Sequence, residues 1–142
     1  MDSAAAAALL YNSSSVRVTL SGDRLLHIAA QPGGTSVSDD DVTAVMAATE
    51  ALMAEGVVFS TVWDLRLCPV PSVGVTARCV RWALKHKATL DKLNQRLGVV
   101  VQDNRAVAVL VATVLTTFGP TCEVRVSSNQ VEALQFMARQ KS

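Results

Sequence analysis

VVFSTVWDLRLCPVPSVGV, residues 57–75, is the stretch that decides the fold. Residues 57–65 form a nearly continuous apolar run, the pattern of a strand buried on both faces at the centre of a sheet. The polar pair Asp64 and Arg66 closes the run, and two prolines follow, which a continuing central strand would not tolerate. Ser72-Val73-Gly74 then leads into a helix expected over 73–93. A doubly buried strand that hands over to a helix implies helices layered on a largely parallel sheet.

Upstream, the boundaries of the first helix are well signed. Ser38 is a suitable N-cap, Asp39, Asp40 and Asp41 place negative charge at the positive end of the helix dipole, and Ser38 with Asp41 approximates a capping box. Val42, Val45, Met46, Thr49, Leu52 and Met53 keep helical spacing up to Gly56, a glycine cap. Consecutive aspartates diverge around a helix, so capping explains them better than a metal site. Before this helix, VRVTL, SGD and RLLHIAA read as a β-hairpin over 16–30. Residues 1–15 read as a flexible tail whose alanine run could form a short helix at most.

Downstream, LGVVVQ (97–102) is a second buried strand. RAVAVLVATVLTTF (105–118) is too long for a strand and ends at Gly119-Pro120, so it is expected to be a helix. CEVRVS (122–127) alternates as a final strand. Asn129 and Glu132 cap a closing helix with Val131, Leu134, Phe136 and Met137 on its apolar face. The expected order is β-β-α-β-α-β-α-β-α. It describes one α/β domain over 16–142, with a mixed, mostly parallel five-stranded sheet, an N-terminal β-hairpin and four helices.

Composition narrows the class. The 142 residues suit one domain with a real core, and 50% hydrophobic against 18% charged residues argues against a disordered chain. A net charge of +1 and only 4% aromatic residues give neither the field nor the stacking platforms that nucleic-acid binding uses. Cys68, Cys79 and Cys122 are odd in number and widely spaced, which suggests free thiols in a reducing, cytoplasmic setting. MDSAAAAALLY lacks the basic start of a signal peptide, and no run reaches transmembrane length.

Catalytic chemistry finds little footing. His27 lies inside a strand pattern among Leu26, Ile28 and Ala29, as a structural imidazole would. His86, in KHK, reads as a solvated helix residue. Cys79 and His86 share a helical face, but two turns put them about 10 Å apart, too far for a nucleophile and its base. No phosphate loop, metal-ligand spacing or nucleophile elbow occurs, so the reading is a protein that is not an enzyme and has no metal or cofactor.

Binding surfaces are easier to find. In an open α/β sheet, ligands gather beyond the carboxyl ends of the strands. The loops there, 64–73, 102–105 and 127–130, offer Asp64, Arg66, Ser72, Gln102, Asp103, Asn104, Ser127, Ser128 and Asn129, although such residues also serve as ordinary N-caps. On the 73–93 helix, Arg78, Arg81, Lys85 and Lys92 form a basic stripe, with Lys87 and Arg96 nearby, opposite Cys79, Trp82, Ala83, Leu90 and Leu93. That stripe is either a solvated face or a match for an acidic partner or anionic lipid. On the 105–118 helix, Val107, Val109, Leu110, Val111, Val114 and Leu115 almost encircle the axis, which calls for cover from another subunit, a partner or an apolar ligand. The alternative is an outer face of Ala106, Ala108, Ala112, Thr113, Thr116 and Thr117.

This order and punctuation resemble the SpoIIAA-like fold of STAS domains, over about residues 16–140, and particularly its small stand-alone members. VVFSTVWDLR is similar to the family's central strand. QRLGVVVQDNRAVAVLVATVLTTFGPTCEVRVSS is similar to its next strand, apolar helix and last strand, and NQVEALQFM to its closing helix. Regulatory members follow the central strand with Asp-Ser-Ser-Gly. Here the turn is Pro71-Ser72-Val73-Gly74, one residue short, with Ser72 on the first serine and Val73 on the second, usually the phosphorylated one.

The resemblance implies a non-catalytic interaction module that docks a protein partner through Asp64, Arg66, Ser72, Gly74, Arg78, Arg81 and Lys85. Val107, Leu110, Val111, Val114 and Leu115 are the candidates for homodimer formation. A second reading is a small carrier of a lipid or other apolar ligand, with those five residues closing its pocket. A third, weaker reading is an antagonist controlled by phosphorylation of Ser72.

Overall fold

The computed structural model describes residues 7–101, 104–128, 132–133 and 135. Among these, the elements run β1 (Ala8–Asn12), β2 (Val16–Leu20), β3 (Leu25–Ala30), α1 (Asp39–Glu55), β4 (Phe59–Asp64), α2 (Val73–Lys85), α3 (Lys87–Leu93), β5 (Asn94–Val100), α4 (Arg105–Phe118) and β6 (Glu123–Ser127). The closing helix expected from residue 129, with Val131, Leu134, Phe136 and Met137, lies outside the described residues apart from Glu132, Ala133 and Gln135, which are helical.

The strands form one sheet in sequence order, antiparallel from β1 to β3 and parallel from β3 to β6. Because each right-handed crossover advances to the next strand in the same direction, successive helices fall on one face. The packing agrees. Leu26, Ile28 and Phe59 meet Leu52 and Met53 of α1 and Leu90 and Leu93 of α3, while Leu97 and Val99 meet Val107 of α4. The alternate residues of the central strands point to the opposite face, where Val62 is fully buried and packs against Leu25.

Several sequence expectations hold. Ser38 caps α1, and its side chain and that of Asp41 complete a reciprocal capping box, while Gly56 closes the helix in the left-handed region at φ 70°. Residues 105–118 are helical and end at Gly119, φ 61°. The central strand is buried throughout except for a half-buried Trp63.

Three expectations need correction. The sheet has six strands, not five, because residues 8–12 of the supposed tail pair with β2 across a bulge between Leu9 and Tyr11. This edge strand is fastened from the side, as the Tyr11 hydroxyl and the Ser13 hydroxyl both donate to Asp41 Oδ1 at 2.7 Å. The 73–93 helix is two helices broken at His86. Finally, β5 begins at Asn94, three residues early. Close approach also fixes one glycine: a Cβ on Gly34 would come within 2.7 Å of Ser15 Cα, so only glycine lets the loop before α1 lie against the β1–β2 turn.

Candidate functional site

The β4–α2 connection carries the residues that sequence reading singled out, and the structure gives them separate tasks. Arg66 folds back on Asp64 as a fork, with Nε to Oδ1 at 2.9 Å and Nη2 to Oδ2 at 2.6 Å. Burial opposes ionisation of Asp64, but these hydrogen bonds and the adjacent guanidinium outweigh it and hold the carboxyl below its usual range. Ser72 is the exposed N-cap of α2 and accepts from the Val75 N–H at 3.1 Å. Gly74 is exposed beside it.

The basic stripe is divided. Arg78 reaches across to α1, donating to the Asp39 carbonyl and carboxylate and to the Thr43 hydroxyl at 2.6 Å. Lys87 binds Asp91 and the Gly119 carbonyl, and Arg96 pairs with Glu123. Arg81, Lys85 and Lys92 stay exposed. Asn104, offered by the sequence as a surface group, is instead a clamp: its Nδ2 faces the carbonyls of Leu65, Arg66 and Cys68 at 3.3, 3.4 and 2.9 Å. This fixes the loop against the start of α4. Gln102, Asp103 and Asn129 lie outside the described residues. Around the loop, Leu67, Val70 and Val73 are 55%, 60% and 88% exposed.

Beneath this loop lies a feature that sequence reading did not locate. A cavity of about 280 Å³, partly open to solvent, lies between the sheet and parts of its helices. Ile28, Trp63, Leu97 and Val99 form its floor, and α1 and α2 contribute Val45, Met46, Val75, Cys79, Trp82 and Ala83. All five residues named on the 105–118 helix, Val107, Leu110, Val111, Val114 and Leu115, line it too. The outer face of α4 is Ala106, Ala112, Thr113, Thr116 and Thr117, with Val109 62% exposed among them. The three threonine hydroxyls are satisfied by carbonyls four residues earlier. The helix is therefore two-sided, with valine and leucine inward and small or hydroxyl side chains outward.

The polar groups in the lining are few. Asp41 is buried, but its carboxylate already accepts from Tyr11, Ser13 and the Ser38 N–H. Burial resists its ionisation, and these hydrogen bonds outweigh that resistance and lower its pKa. Thr61 and Asn94 meet at 3.4 Å, Oγ1 to Oδ1. Signals for the cavity were present in the apolar girth of 105–118 and the apolar side of 73–93, but neither reveals how far apart two layers sit.

The candidate nucleophiles and bases sit in differing surroundings. Burial raises all three thiol pKa values, that of Cys68 to about 11, so the reactive thiolate is scarce at neutral pH. Burial likewise lowers the pKa of His27. His86 is not simply solvated, as it packs on Trp82 with ring centroids 5.0 Å apart and lies 3.5 Å from Glu50 Oε2. Among the described residues, no group of His, Cys, Asp and Glu could hold a metal ion, and no helix is long and apolar enough to cross a membrane. No protein-family model matches the chain, and neither a curated protein nor a solved structure matches it significantly.

Proposed function

We propose that this chain is a non-catalytic binding protein that takes a lipid or other apolar ligand between its sheet and its helices. The observation that carries this reading is the cavity. The space of about 280 Å³ is partly open to solvent, and its apolar lining lacks packing partners on the side that faces it. An apolar guest would restore the missing contacts, and a lining of valine, leucine and two indoles suits it. Native mass spectrometry of gently purified protein tests the reading. A discrete added mass, lost on denaturation, is expected. Bare protein whose melting temperature decane does not raise would contradict it.

A second reading is a STAS-type interaction module that docks a protein partner at the loop between β4 and α2. It is favoured by the exposed Leu67, Val70 and Val73 leading into α2, a helix that also exposes Arg81 and Lys85 further along. The sequential strand order and the hairpin opening support the SpoIIAA-like assignment on which this reading rests. Val70→Asp with Val73→Asp should abolish capture of any partner that the wild-type chain retains, and unchanged capture would count against this surface.

A further inference from the structure

The cavity's lining restricts what it can hold, and the restriction deepens the apolar-ligand reading on which it rests. Charge comes first. Among the described lining residues, Asp41 is the single charged group, and no arginine, lysine or histidine faces the space. An anionic head group placed inside would be desolvated near a carboxylate, with no cation to receive it. A cationic head group gains little, because both Asp41 oxygens already accept from Tyr11, Ser13 and the Ser38 N–H. The occupant must therefore be neutral where it is enclosed.

Size and polarity follow. A cavity of about 150 Å³ lined by aliphatic and aromatic side chains holds benzene, so by proportion 280 Å³ holds roughly eleven carbons. Besides Asp41, the wall carries the hydroxyls of Thr49 and Thr76, which already donate to the Val45 and Ser72 carbonyls, and one side-chain pair. Thr61, on the central strand, and Asn94, at the start of β5, present a hydroxyl and an amide 3.4 Å apart on the cavity surface. Together they offer both donors and acceptors to a small uncharged polar group.

We infer that the cavity takes a neutral hydrocarbon of about ten to twelve carbons bearing one hydroxyl or carbonyl group, which hydrogen-bonds to Thr61 and Asn94. Chains ending in carboxylate or phosphate are rejected.

Both tryptophans of the chain, Trp63 and Trp82, line the cavity, so their fluorescence reports occupancy directly. The test titrates the full chain with 1-decanol, decane and decanoate at pH 8, below their aggregation limits. 1-Decanol should shift the emission and bind at least about tenfold tighter than decanoate. Thr61→Val should weaken 1-decanol about threefold to tenfold and leave decane unchanged. Should Thr61→Val not fold, Asn94→Leu carries the same expectation. Decanoate binding as tightly as 1-decanol, or variants that weaken both neutral probes alike, would overturn the inference while leaving the cavity as a binding site. No response to any of the three probes would refute the apolar-ligand reading itself, and the inference with it.

Discussion

Ala83 offers a direct way to ask whether the space between the layers exists in solution. It sits on α2, half-buried, and faces the cavity beside Trp82. Ala83→Leu adds three carbons, worth up to about 2.4 kcal/mol at roughly 0.8 kcal/mol per buried carbon. Holding the longer side chain costs about 0.5–1 kcal/mol in rotamer freedom. The net gain is about 1.5–2 kcal/mol, and helix propensity hardly opposes it. For a chain of 142 residues this corresponds to roughly 5–7 °C in melting temperature. Thermal unfolding followed by circular dichroism, on protein freed of ligand by refolding, reads the effect. The added leucine should also compete with a guest, so decane should raise the wild-type melting temperature more than that of the variant. A fall in melting temperature, as overpacking by about 1–3 kcal/mol would cause, refutes the reasoning. It would mean that the helices already close on the sheet.

Other consequences are independent of the ligand. Asp41 has a lowered pKa in the folded chain, so its contribution to stability is fully present above the unfolded value of about 3.9 and is lost as pH falls through the folded value. Asp41→Asn should therefore cost about 1–3 kcal/mol in urea unfolding at pH 6, with the gap from wild type narrowing towards pH 2; a constant gap would contradict this. Cys68, with its pKa raised to about 11, should react with iodoacetamide at pH 8 about a hundredfold more slowly than an unperturbed thiol, and its rate should keep rising to about pH 11. Alkylation at an ordinary rate would place it outside the apolar interior. On α4, Val109→Glu should change stability by less than about 0.5 kcal/mol, whereas Leu110→Glu, inside the cavity, should cost several kcal/mol. If Val109→Glu instead lowers the mass measured by light scattering, α4 is a subunit interface.

How much of this could be read from the sequence depended on how local the determining physics is. The capping box of Ser38 and Asp41, the glycine ends of α1 and α4 and the doubly apolar β4 are set by neighbours in the chain, and each was legible. β1 was not, because ALLYN carries no apolar–polar alternation, and its strand state comes from pairing with β2 and from two hydroxyls reaching Asp41. The break at His86 was hidden by helix-compatible residues on both sides. At the candidate site, the residue types were visible but their partners were not. Asp64 and Arg66 satisfy each other, Arg78 is committed to α1, and Asn104 holds a loop nearly forty residues away in the chain. The girth of α4 showed that valine and leucine needed cover. Which layer covers them, and the gap left between, is a property of the packed fold.

The central claim is that an apolar guest sits between sheet and helices, and intermolecular nuclear Overhauser effects between 1-decanol and methyl-labelled protein test it most directly. Contacts are expected from the alkyl chain to the methyl groups of Val75, Val99, Val107, Leu110 and Val111, which line the cavity from both layers. Contacts confined to Leu67, Val70, Val73 or Val109, the exposed apolar groups, would contradict it.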